Sequence, residues 1–141
     1  MYKTIRWQQR FQNFEKAFIR LKNAVDRYQK SKDDELILEG LVQTYEFTYE
    51  LALNTTKDFL IYGGHAELNG SRSVIKQALQ DGIISDGHAW MDAIEDRNLT
   101  SHTYNEEIAK AVATQICLKY FFLIEDLFNY FKNEYEKGES K

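Results

Sequence analysis

The 141-residue chain has no proline and a single cysteine. Without proline no helix must lose an amide donor or clash with a preceding carbonyl, so long helices can run unbroken. One thiol, Cys117, excludes an intramolecular disulfide and offers at most one thiolate ligand. It lies between Ile116 and Leu118, an apolar setting that reads as core rather than as a reactive site. Glycine is scarce, and neither a Walker lysine loop nor a dinucleotide glycine fingerprint occurs. Gly63-Gly64 and Gly70-Ser71-Arg72 read as loop punctuation, although Arg72 at a helix start can attract an anion weakly. No apolar run approaches the roughly 18 to 20 residues that span a bilayer. Met1 to Trp7 lacks the apolar core of a signal peptide. These absences fit a cytoplasmic protein with no membrane partner. The three histidines, His65, His88 and His102, form neither an HxxxH nor an HExxH pattern. Glu46 with Glu50, and Asp92 with Glu95 or Asp96, have helical spacing but no Glu-x-x-His partner. They read as solvated charge, and no metal or other cofactor is expected.

Hydrophobic residues make up 43% of the chain, with nine Phe, nine Tyr and two Trp, enough for an aromatic-rich core in one domain over residues 1–141. The net charge of −4 is unevenly spread: residues 1–32 carry +7 and the remainder −11. Overall repulsion therefore excludes a generic polyanion binder. The basic strip on the first helix is either a solvated face or a local phosphate contact.

Apolar spacing predicts an all-α fold, an antiparallel bundle of about five helices with a four-helix up-and-down core plus a short helix. Trp7, Phe11, Phe14, Phe18, Leu21, Val25 and Tyr28 step by fours and threes, predicting a first helix from about Thr4 to Tyr28. Leu38, Val42, Tyr45, Tyr49, Ala52, Thr56 and Phe59 do the same for a second, from about Glu35 to Tyr62, ended by Gly63-Gly64. Ser71 is the expected N-cap of a short third helix bearing Val74, Ile75, Ala78 and Leu79, closed by Gly82. Asp86 caps a fourth, which holds Ala89, Trp90, Ala93 and Ile94 and ends between Arg97 and His102. Asn105 caps a long fifth, with Glu106 and Glu107 in the first turn, where the macrodipole favours acids. That helix has two apolar stripes: Ile108, Val112, Ile116, Tyr120, Leu123, Leu127 and Phe131, then Cys117, Phe121, Ile124, Phe128 and Tyr135. Either it is central, or its second stripe pairs with another copy. From about residue 136 the sequence is a polar, fraying tail.

The densest polar segment is Arg97-Asn98-Leu99-Thr100-Ser101-His102-Thr103-Tyr104, at a helix junction. Two readings fit the chemistry equally. In one, Arg97 pairs with an acid and His102 caps carbonyls. In the other, Arg97 offers a bidentate fork to phosphate oxygens. His102, titrating near neutrality, then takes a proton from a ribose 2′-hydroxyl or returns one to a leaving oxygen. That pair would cut RNA without a metal. Tyr104 would position the substrate or accept a modification. The surrounding acids, Asp92, Glu95, Asp96, Glu106 and Glu107, argue against tight RNA binding.

These residues resemble the Arg-x4-His-x-Tyr motif of the HEPN superfamily. More narrowly, the chain resembles the branch of nucleotidyltransferase substrate-binding proteins whose toxin members are called HepT. The likeness extends through Ile5 to Phe11, Glu39-Gly40-Leu41, Glu46 to Ala52, Gly70-Ser71-Arg72 and Gly82-Ile83-Ile84, and so covers about residues 4 to 130. One departure is Leu53-Asn54, where Trp-Lys is expected in many relatives; on the second helix, it reads as remote from the motif. The resemblance implies a homodimer whose motifs face one another across a cleft, and a small nucleotidyltransferase partner of the minimal (MNT) type. In toxin–antitoxin versions the protein is a metal-independent ribonuclease, with Arg97 and His102 catalytic. Tyr104, Asn98 and Ser101 then contact substrate, or Tyr104 is adenylylated by the antitoxin. The older family name implies an alternative, a non-catalytic subunit that presents a nucleotide or other substrate to the transferase.

Overall fold

The computed structural model describes the backbone of residues 2–66, 68–102 and 105–139, and the side chains of 6–66, 68–101 and 105–138. Every regular element among them is helical. The order is α1 (Tyr2–Lys30), α2 (Glu35–Tyr62), α3 (Ser71–Gln80), α4 (Gly87–His102), α5 (Glu106–Gln115), a π-helical segment (Ile116–Tyr120) and α6 (Phe121–Glu139). No helix among the described residues is long and apolar enough to cross a membrane.

Side-chain ties define the directions. Arg10 on α1 meets Asp58 on α2 and the Thr48 hydroxyl donates to the Ala17 carbonyl at 3.2 Å, so α1 and α2 run antiparallel. Phe11 stacks on Phe128 and Phe18 on Phe121, which sets α6 antiparallel to α1 as well. Tyr45 and Tyr49 on α2 donate to the Ala93 and Trp90 carbonyls of α4, both at 2.7 Å, again antiparallel. The result is an up-and-down four-helix core of α1, α2, α4 and the α5–α6 rod, with α3 inserted between α2 and α4. All seven apolar positions expected to form the α1 stripe are buried. The aromatic core is continuous, with Phe18 stacked on Phe128 at 4.6 Å and Trp7 edge-on to Phe59 at 5.1 Å. Such pairs add roughly 0.5–1.5 kcal/mol each beyond the area they bury.

The helix ends follow local chemistry, with some departures from expectation. Asp34 Oδ1 caps α2, accepting from the Leu36 and Ile37 amides, and Asp86 Oδ1 caps α4 through the Ala89 amide at 3.0 Å. Asn105 caps α5 through the Ile108 amide at 3.1 Å. At α3, however, the N-cap is Gly70 and not Ser71, and no side chain caps its first turn. Gly70 has φ +84, a turn that a serine would make only under strain, so Ser71 is displaced into the helix. Leu79 on α3 is 43% exposed, where the stripe predicted burial. The helix at the C-terminus reaches Glu139, past the predicted fraying point.

The predicted fifth helix is one rod containing a wide turn. Its backbone stays right-handed through both junctions, with φ/ψ of −58/−50 at Ile116 and −56/−43 at Phe121. Ala113, Ile116, Tyr120, Ile124, Leu127 and Phe131 are all buried, and their spacing includes two consecutive steps of four. From Ala113 to Phe131 the steps average 3.6 residues, the α-helical period, so the buried stripe alone carries no sign of the wide turn. The π-turn instead widens the backbone by one residue over Ile116–Tyr120 relative to an unbroken α-helix. Phe121, Ile124 and Phe128 of the second stripe are buried within the chain too, so the rod is central and that stripe needs no second copy to cover it.

Candidate functional site

α4 does not end before His102. It continues through Arg97 and reaches His102, because nothing between them breaks a helix and its hydroxyls bond backwards. The Thr100 and Ser101 hydroxyls donate to the Arg97 and Asn98 carbonyls, each at 3.1 Å. On one helix the two positions are therefore about 7.5 Å apart along the axis and about 140° apart around it. The His102 side chain and all of Tyr104 lie outside the described residues.

Arg97 is held from α2. Its Nη2 reaches Glu50 Oε2 at 3.2 Å, and its Nη1 donates to Asn98 Oδ1 at 3.3 Å. One turn on, the Thr100 hydroxyl donates to Glu46 Oε2 at 2.7 Å. Glu46 and Glu50 are thus the anchors of the motif and not idle surface charge. Arg97 Nε is buried and has no hydrogen-bond partner among the described residues. Leaving such a donor unsatisfied costs about 1–3 kcal/mol. Asn98 and Ser101 are exposed beside it.

The acids on α4 are largely matched by partners on other elements. Asp92 pairs with Lys119 at 3.5 Å, Glu95 with Arg72 at 3.6 Å, and Asp96 accepts from the Tyr120 hydroxyl at 2.5 Å. Glu106 pairs with Lys110 within α5 at 3.8 Å. The acidic setting that the sequence suggested around Arg97 is to that extent neutralised, and the carboxylate in contact with it is Glu50.

Beneath α4 lies a tyrosine cluster. Tyr45 stacks on Tyr120 at 5.7 Å and leans on Tyr49 at 5.8 Å. Burial, the largest cause in each, pushes the hydroxyls of Tyr45, Tyr49 and Tyr120 well above the ordinary 10.0. The neighbouring tyrosines and Asp96 add to this at Tyr45, and the Asp96 carboxylate adds to it at Tyr120. The Arg97 and Arg72 charges work in the opposite direction at Tyr49, which places both cations near it. Burial also raises the Cys117 thiol, consistent with a packing role.

A cavity of about 160 Å³ opens beside Arg97, lined by Tyr49, Glu50, Leu53, Asn54, Ser71, Ile94 and Arg97. It joins α2, the start of α3 and α4. Leu53 and Asn54, which the sequence placed away from the motif, share this wall with Arg97. Sequence reasoning missed these residues because they come from three separated segments. The one available signal was the polar line Glu46, Glu50, Asn54, spaced by fours along α2. Among the described residues, no group of three His, Cys, Asp or Glu side chains converges in the manner of a metal site.

The fold and this helix end define an all-α bundle with an arginine anchored at the inner edge of a cavity. Comparison with known proteins gives the same class. A family model described as nucleotidyltransferase substrate binding protein like matches residues 9–133. A Haemophilus influenzae protein named probable ribonuclease HepT is 34% identical over 115 residues, covering 77% of each chain. The solved structure of a Haemophilus influenzae protein, described as revealing the fold of a substrate binding domain of a nucleotidyltransferase, matches with a TM-score of 0.74. It is 26% identical, over 86% of this chain and 98% of that one. A tri-AMPylated Shewanella oneidensis HEPN toxin, solved in complex with an MNT antitoxin, matches with a TM-score of 0.72 over 89% of this chain and 95% of that one. At 12% identity it shares the fold alone. The chain belongs to the nucleotidyltransferase substrate-binding family, the HepT-like branch of HEPN proteins.

Proposed function

We propose that this protein is the toxin of a HEPN–MNT toxin–antitoxin pair, a metal-independent endoribonuclease acting through Arg97 and His102. The observation that carries the reading is Arg97 itself. It is fixed by Glu50 and Asn98, it keeps a buried Nε–H unpartnered among the described residues, and it lies five residues before His102 on one helix. Arg97 binds the scissile phosphate. The ribose 2′-oxygen attacks phosphorus and the bond to the 5′-oxygen breaks, giving a 2′,3′-cyclic phosphate and a 5′-hydroxyl. His102 accepts the 2′ proton or returns one to the 5′-oxygen. Asn98, Ser101 and Tyr104 contact the substrate around them.

The angle of about 140° between Arg97 and His102 favours a site shared by two copies, in which each supplies part of the constellation. Leu99, 49% exposed between them, gives a second copy an apolar contact at the motif. The cognate MNT-type nucleotidyltransferase neutralises the toxin, with Tyr104 as the adenylylation site; intact-mass measurement of the co-expressed protein and of Tyr104→Phe tests this. The alternative is a non-catalytic nucleotide- or substrate-binding subunit of a two-component nucleotidyltransferase. It is favoured by the description of the family whose model matches residues 9–133. Incubation of the purified protein with RNA in EDTA separates the two. The ribonuclease cleaves and loses activity in His102→Ala and Arg97→Ala, whereas the binding subunit cleaves nothing and alters the activity of the transferase.

A further inference from the structure

The cavity beside Arg97 is larger than the binding of one phosphate requires. Its volume of about 160 Å³ is close to the roughly 150 Å³ of a protein void that accepts a benzene ring. Tyr49, Leu53 and Ile94, all nearly buried, contribute only a narrow apolar floor, and Tyr49 spends its hydroxyl on the Trp90 carbonyl. The polar lining combines the Glu50 carboxylate, the Asn54 amide and Arg97, whose buried Nε–H has no partner among the described residues. A small, mostly polar recess with a carboxylate and an amide at its edge suits a planar heterocycle that carries both donors and acceptors. A second phosphate would face the Glu50 charge at close range.

We propose that this cavity is a base-binding subsite that receives one unstacked nucleobase of the RNA and prefers guanine. The inference rests on the ribonuclease reading for the nature of its ligand. Guanine presents two adjacent donors, N1–H and the exocyclic amine, which match the two oxygens of Glu50 as a bidentate pair. Adenine and cytosine place a ring acceptor beside their single amino group, and uracil flanks its one N–H with carbonyls. Each would set an acceptor against the carboxylate. The Asn54 amide remains for the guanine O6 or N7 acceptor. Leu53 and Asn54, the two positions at which the chain departs from the pattern it resembles, are both cavity walls.

The test uses the full-length chain and fluorescein-labelled 2′-O-methyl hexamers, which cannot be cleaved by internal attack. One hexamer is all adenylate and the other carries a single guanine; binding is read by anisotropy. The subsite predicts tighter binding of the guanine hexamer by about fivefold or more. Glu50→Gln removes that preference while strengthening the adenylate hexamer, because Arg97 loses its competing anion. Asn54→Trp, which fills the cavity from its rim, brings the guanine hexamer down to the adenylate level. Equal binding of both hexamers, binding of neither, or a preference that survives Glu50→Gln overturns the subsite. Cleavage of unmodified RNA with no guanine preference overturns it while leaving the ribonuclease reading intact. Guanine preference with no cleavage keeps the subsite and overturns the ribonuclease.

Discussion

Removing one hydroxyl from the tyrosine cluster tests how α4, and with it Arg97, is held. Tyr120 is 3% exposed and donates to Asp96 Oδ2 at 2.5 Å, one residue before Arg97. Tyr120→Phe keeps the ring and its stacking on Tyr45 at 5.7 Å, so the substitution isolates the hydrogen bond. A bond to a charged acceptor contributes about 1.5–3 kcal/mol, but Asp96 is only half-buried and regains some water. The expected loss is therefore about 2 kcal/mol. With a urea m-value of about 2 kcal/mol/M, the unfolding midpoint drops by about 1 M. Tyr45→Phe is the comparison. It removes a neutral bond to the Ala93 carbonyl at 2.7 Å, inside α4 where that carbonyl already serves the helix, and costs about 1 kcal/mol. Urea titrations followed by far-ultraviolet circular dichroism read both. A loss below about 0.5 kcal/mol in Tyr120→Phe, or a larger loss in Tyr45→Phe, refutes the reasoning from charge-assisted bonding.

Further outcomes follow from the same packing. Tyr45, Tyr49 and Tyr120 hold their protons above the ordinary value of 10.0, so above that pH the folded state binds more protons than the unfolded one. The stability they confer is complete below pH 10 and is lost as pH rises through it, by about 1.4 kcal/mol per pH unit for each tyrosine. Denaturation midpoints between pH 9 and 11 should show that slope flatten in Tyr120→Phe. Asn105→Ala removes the cap of α5 and should cost about 1 kcal/mol by thermal or urea unfolding. Deleting Leu118, 71% exposed in the π-turn, should restore an unbroken α-helix with both flanking stripes in register. The shortened protein should melt within a few degrees of the parent, about 1 kcal/mol or less; loss of cooperative unfolding would contradict the surplus-residue account.

The frame of the bundle was legible because each long helix carries its own period. The boundaries of α2 follow from Asp34 at one end and Gly63-Gly64 at the other, and every predicted apolar position of α1 is buried. The π-turn was invisible, since the buried spacing across it keeps the average period of an ordinary α-helix. Arg97 was recognisable from its neighbours, but its setting was not. Glu50, Asn54 and Ser71 reach the same cavity only because α2 and α4 run antiparallel with α3 folded between them. The continuation of α4 to His102 was misjudged because hydroxyl-rich residues suggest a cap, whereas Thr100 and Ser101 bond back to their own helix.

The central claim concerns the chemistry of Arg97 and His102, and the product of cleavage tests it most directly. The purified protein, incubated in EDTA with an RNA oligomer, should leave 2′,3′-cyclic phosphate and 5′-hydroxyl ends. The same oligomer with a 2′-deoxy sugar at the cut position should stay intact. Products bearing a 5′-phosphate, or cleavage that survives the deoxy substitution or both Arg97→Ala and His102→Ala, would contradict the account.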